Sequence, residues 1–189
     1  MIWPRNWRSA PQPPAPPAAP VVPRGIEFGW KVHNAQEAWT ARVDSKAALF
    51  LATQTAVLVA TAAAFATDKS LGALDGHNRT AAIIGALISM LAVIVAGSAV
   101  IPMLGRSKTH KAVHDQHLIY FGHLRHRTHA GVKSDLAALT HDQELDQLGL
   151  QIIALSSRNW SKHQRLQIAM ILGALGTLIV VGSYVQALL

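Results

Sequence analysis

Three stretches of this chain carry no charged side chain, and each is long enough to cross a bilayer: 47–66, 80–104 and 168–189. About 20 helical residues cover the ~30 Å of a hydrocarbon core. Soluble helices seldom run that far without a charge, so length argues against a buried-core origin for these blocks. Charges bracket them: Asp44 and Lys46 before the first, Asp68 and Lys69 after it, Arg79 and Arg106 around the second, Arg165 ahead of the third. The composition agrees, with 50% apolar residues and only 14% charged, against about 25% charged in ordinary globular chains. The expected fold class is therefore all-α: an integral membrane protein with three transmembrane helices and a helical segment, 106–165, that continues into the last span.

Small residues recur at four-residue spacing in the third block, at Ala169, Gly173 and Thr177, and in the second, at Gly85 and Ser89, with Val93 and Gly97 continuing the row. Such rows let helix backbones approach closely, either between copies of the chain, as a homo-oligomer, or within one copy. The first block is Ala- and Thr-rich and holds Gln54, so it favours helix neighbours over bare lipid.

Ahead of the spans, residues 1–25 hold eight of the nine prolines. Proline lacks the N–H that helix or sheet needs, so residues 1–35 are expected to form a disordered, polyproline-like tail, followed by one unit over 36–189. No continuous apolar h-region precedes a small-residue cleavage site, so the tail does not resemble a signal peptide. Trp3 and Trp7 beside arginines suit a headgroup layer or an idle tail.

Basic residues number six before the first span, two in the loop 67–79 and nine over 106–165. By the positive-inside rule the N-terminus and the 106–165 segment are expected in the cytoplasm and the C-terminus outside. The formal charge of +7 suits anionic lipid or a phosphate-bearing ligand. The aromatics are not interleaved in a base-reading pattern, so nucleic acid is not an expected partner.

The 106–165 segment is where function should lie. Thr140 followed by Gln143, with Asp142 and Glu144 between and beyond, has the pattern of a capping box. From there Leu145, Leu148, Ile152, Leu155, Asn159, Lys162, Leu166 and Ala169 keep a three-four spacing, which fits a coiled-coil seam or an amphipathic helix packed on its own chain. Eight of the ten histidines fall in this segment, but no cysteine or carboxylate accompanies them at ligand spacing and lysines and arginines are interleaved, so no metal site is expected. The groups instead compose a basic, partly protonatable collar at the membrane face. There is no GxSxG, HExxH, phosphate loop or paired-carboxylate arrangement, and cysteine is absent, so an enzyme is not expected.

Arg42-Val43-Asp44-Ser45-Lys46-Ala47 opens the first span and Pro102 closes the second. Leu118-Ile119-Tyr120-Phe121-Gly122-His123 follows, then Gln151-Ile152, Leu155-Ser156 and Lys162 lead into the last span. In this order the elements resemble the transmembrane effector domain of the Pycsar antiphage systems, over roughly Gln36 to Leu189. The most specific piece is the aromatic-Phe-Gly-His element; Asp44, Lys46, Pro102, Gly122 and Gln151 are further positions that carry the resemblance. It implies a bacterial defence effector that impairs the inner membrane, by abortive infection, when a neighbouring cyclase makes a cyclic pyrimidine mononucleotide. No separate cyclic-nucleotide domain is evident, so a direct ligand would have to bind within 106–165. Arg125, Arg127 and Lys162 are the expected phosphate contacts, Tyr120 and Phe121 either stack on the base or pack against the neighbouring helix, His123 lies beside them, and Gly122 permits a turn or a close approach. The cyclic nucleotide would act as an activating ligand and not as a cofactor. Rival readings are a nucleotide-independent, holin-like toxin and a scaffold that recruits a partner through its coiled coil.

Overall fold

The computed structural model describes residues 23–66, 74, 76–101 and 107–186, and every element among them is helical. Helix α1 spans Arg24–Phe65, α2 Gly76–Val100, α3 Ser107–Ala112, α4 Phe121–Leu124, α5 His129–Ala137 and α6 His141–Gln186, with a 3₁₀ turn at His114–Gln116. Helices α1, α2 and α6 are each long and apolar enough to cross a membrane. Helices α1 and α6, of 42 and 46 residues, run to over 60 Å at about 1.5 Å per residue, roughly twice a hydrocarbon core. Each therefore continues well beyond the bilayer at one end.

That extra length is a two-helix stalk. Gln36 meets Ser156, Thr40 meets Asn159, Asp44 meets Lys162 and Gln54 meets Thr177. The steady offset of about 120 residues makes α1 and α6 parallel and in register from end to end. Helix α2 runs the other way against both: Ala82 packs with Val180, Gly85 with Gly176, and Ser98 with Arg165. These ties bring the charge-free parts of all three helices to one depth, as a shared hydrophobic slab requires.

Residues 24–35, expected to belong to the tail, are helical. Helix α1 begins at Arg24, directly after Pro23, so residues 24–35 are its first three turns. Once proline ends nothing opposes helix, and Glu27 pairs with Lys31 one turn on at 2.5 Å. The buried stripe Ile26, His33, Gln36, Val43 and Ala47 faces α6. It keeps helical spacing but is half polar, which is why hydropathy alone did not reveal it. Residues 1–22, with Trp3 and Trp7, lie outside the described residues, as do Pro102 and Arg106.

Helix α6 starts as its cap predicts: the Thr140 N–H donates to Gln143 Oε1 at 2.9 Å and the Gln143 N–H to Thr140 Oγ1 at 3.3 Å. Its seam residues Leu148, Asn159, Leu166 and Ala169 are buried, and the partner they meet is α1 of the same chain. The small-residue rows also serve packing within the chain. Gly85, Ser89, Ala92 and Ala96 of α2 are buried, as are Ala169, Gly173 and Gly176 of α6. A Cβ at Gly176 would lie 2.6 Å from the Gly85 carbonyl oxygen and 2.7 Å from the Ser89 nitrogen, so only glycine permits this approach.

Candidate functional site

Between α2 and α6 the chain folds back along the stalk in short pieces, held by one glutamine of α6. Gln147 accepts from the Leu118 N–H through Oε1 and donates through Nε2 to the Gln116 carbonyl, both at 2.8 Å. This clamp fixes the approach to the aromatic motif. Tyr120 is extended and α4 is a single turn, so the Tyr120 ring folds back over Gly122. A Cβ on Gly122 would meet ring atoms Cδ1 at 3.0 Å and Cε1 closer still. Of the two roles expected for Gly122 the ring contact is the close approach.

The ring is packed on several sides. Its neighbours are Phe121, His110 and His123, with centroids 4.7, 5.5 and 5.4 Å away, and the Arg158 guanidinium lies 4.6 Å from its centroid. His123 in turn stacks on His117 at 4.3 Å and His110 at 4.7 Å. Its Nδ1 is buried without a hydrogen-bond partner. Burial, followed by the positive charge of His117, His110, Arg158 and His126, lowers its pKa. His126 is likewise held low, by desolvation and then by Arg125, His114, Lys111 and His110.

Below this cluster, where α2 ends against α6, opens a cleft of about 390 Å³. Arg158, Lys162 and Arg165 line it from one face of α6, Ser98, Ala99 and Ile101 from the end of α2, and Tyr120 and Phe121 from the motif. Thr40, Ser157 and Ser161 add hydroxyls, and Leu155 completes a largely apolar wall. Lys162 donates to both oxygens of Asp44 at 2.6 and 2.9 Å, and Arg165 donates to the Ser98 carbonyl at 3.0 Å. Among the described residues that line the cleft none is a carboxylate, and Asp44 pairs with Lys162 from beside it.

The expected site residues are only partly brought together. Tyr120, Phe121 and Lys162 share the cleft, while His123 and Gln151 line a smaller crevice of about 80 Å³ behind it, which Tyr120 and Arg158 also border. Arg127 and Arg125 are elsewhere: Arg127 pairs with Asp135 and donates to the Asp115 carbonyl at 3.3 Å, and Arg125 donates through Nε to His126 at 3.1 Å. Asp44 is the partner of Lys162, Lys46 is exposed, and Pro102 lies outside the described residues. Arg158 and Arg165 were not singled out in the sequence, although with Lys162 they keep a three-four spacing that a helix places on one face.

A polar lock sits beside the cleft, in the stalk. The Asn159 amide donates to the Gln36 carbonyl and to Gln36 Oε1, both at 2.9 Å. Thr40 Oγ1 donates to Asn159 Oδ1 at 2.5 Å, and Gln36 Nε2 to Ser156 Oγ at 2.8 Å. Such a buried network fixes the register of two helices. A family model described as the Pycsar effector protein domain matches residues 28–188. No curated protein and no solved structure matches the chain.

Proposed function

The chain belongs to the Pycsar effector protein domain family, transmembrane effectors of antiphage defence, and from that membership we propose that it impairs the bacterial inner membrane when a cyclic pyrimidine mononucleotide is made. The observation that carries the reading is that the basic, aromatic-edged cleft is built on α6, the helix that runs unbroken from it across the bilayer. In this reading Arg158, Arg165 and Lys162 attract the phosphodiester and the exposed ring of Phe121 stacks on the base. Tyr120, already packed between Gly122 and Arg158, holds the cleft in shape.

A ligand shifts an equilibrium only through differential affinity, so it must favour one placement of α6 against α2 and the motif over another. The bond from Arg165 to Ser98 and the lock at Asn159 are the contacts such a shift would rearrange. Killing then follows as a leak along helices whose packing has changed, with the N-terminus and the 107–140 region on the cytoplasmic side, where a cyclase delivers its product.

Dye leakage from proteoliposomes tests this. Leakage that appears only with 3′,5′-cyclic CMP or UMP is expected, and Arg158→Gln with Arg165→Gln should lower the triggered rate about tenfold or more, since each charged contact contributes ~1–3 kcal/mol. Leakage independent of nucleotide, or none at all, overturns the reading.

A further inference from the structure

Depth in the bilayer gives the cleft a second occupant. Charge-free sequence begins at Ala47 in α1 and after Arg165 in α6, and α2 arrives at the same level, where Ser98 accepts from Arg165. The cleft thus opens at the water–hydrocarbon boundary. Trp39 and Trp160 mark the same level independently. They are 49% and 68% exposed, neither lines the cleft, and tryptophan collects where headgroups meet acyl chains.

We infer that the cleft is a binding site for the phosphodiester headgroup of an anionic phospholipid from the protein's own bilayer. The chemistry is shared with any free phosphodiester: an anion set against Arg158 and Arg165 in a site with no carboxylate among its described lining residues. The wall gives a lipid a contact that its headgroup alone does not make. Ala99, Ile101, Leu155 and Phe121 form an apolar surface beside the cations, which a small soluble anion would leave uncovered and a glycerol backbone with its first acyl methylenes would cover. Phe121, 62% exposed, lies at the mouth where the chains would leave. The inference stands on depth and charge and does not depend on activation by a nucleotide.

The test is native mass spectrometry of the full chain in detergent, titrated with phosphatidylglycerol, with phosphatidylcholine, and with glycerophosphoglycerol, the same headgroup without acyl chains. Phosphatidylglycerol is expected to bind best. Arg158→Gln with Arg165→Gln should weaken it about thirtyfold, from the usual contribution of two basic residues at an anionic surface. Arg42→Gln, at similar depth but outside the cleft, should leave it unchanged. Ser161→Trp, which fills the cleft and keeps its charges, should also abolish binding and covers the case in which the double variant does not fold.

Equal binding of phosphatidylcholine, an equal loss in Arg42→Gln, or undiminished binding in Ser161→Trp would overturn the inference. So would glycerophosphoglycerol binding as tightly as the lipid, which would assign the cleft to a soluble phosphodiester. Lipid binding as expected, with no nucleotide-triggered leakage, would leave this site standing and remove the activation reading alone.

Discussion

Gly122 and His123 show how much one position can carry. Because the Tyr120 ring occupies the space of a Cβ, Gly122→Ala should displace the ring from Arg158 at a cost of about 1–3 kcal/mol, the usual range for overpacking. The measurement is the thermal midpoint in detergent by circular dichroism, and an unchanged midpoint would contradict the packing. At His123 the sign follows from a pKa lowered in the folded state, by burial and then by its charged neighbours. Above about pH 6.5 folded and unfolded forms are both neutral, and the packing keeps its full stability. As the pH falls from there toward the folded value, the unfolded state takes the proton first, and stability is lost. Protection factors of the amides over 107–124, exchange taken relative to the intrinsic rate at each pH, should therefore fall between pH 7.5 and 5.5, and less so in His123→Asn. Protection that rises on acidification would reverse the assignment. The motif residues were legible as a string. That the tyrosine folds back onto its own glycine was not, because the ring's direction is set by α6 through Arg158 and by the clamp at Gln147.

At the scale of elements, the α1–α6 pair is held by polarity in the stalk and by small residues in the bilayer. Asn159→Leu should leave Gln36 and Thr40 without their partner and destabilise the fold by about 1–3 kcal/mol, whereas adding Gln36→Leu should recover part of the loss, since replacing both partners removes the orphaned groups. Unfolding in mixed detergent measures both; equal stability of the single and double variants would mean the groups are not coupled. In the bilayer, Gly176→Val drives a side chain into Gly85 and Ser89. The α2–α6 contact should open and expose the chain to protease, and wild-type resistance would refute the close approach. The seam of α6 was readable from spacing alone, and so was its capping box. Its partner was not, because the matching face of α1 is built from Gly29, His33, Gln36 and Thr40, which carry little hydrophobic signal.

For the whole molecule, α6 carries the three cations of the cleft and runs unbroken from it to the far side of the bilayer. Leu175→Pro, half exposed in the spanning part of α6 and well past the cleft residues, removes one backbone hydrogen bond at a cost of about 3 kcal/mol. If α6 transmits by stiffness, this variant should keep lipid and nucleotide binding and lose triggered leakage; leakage at the wild-type rate would mean that the helix does not carry the signal. Topology has an equally direct check, since the chain has no cysteine. Ser134→Cys and Gln186→Cys should label from opposite sides of the membrane, with Ser134 in the cytoplasm. Labelling from one side would undo the arrangement.

The amino-acid sequence by itself determined three crossings, their alternation and the start of α6, because hydropathy and capping depend on a residue and its neighbours within a turn or two. Tertiary structure alone decided which cations face the cleft. Arg125 and Arg127 have the charge, but they lie on a return segment turned toward its own carboxylate and histidine. Arg158 and Arg165 acquire their place only once α2 and the tyrosine come to rest against α6. A charge is a property of the residue, whereas a binding site is a property of which surfaces are covered, and covering is settled by helices more than fifty residues apart in the chain.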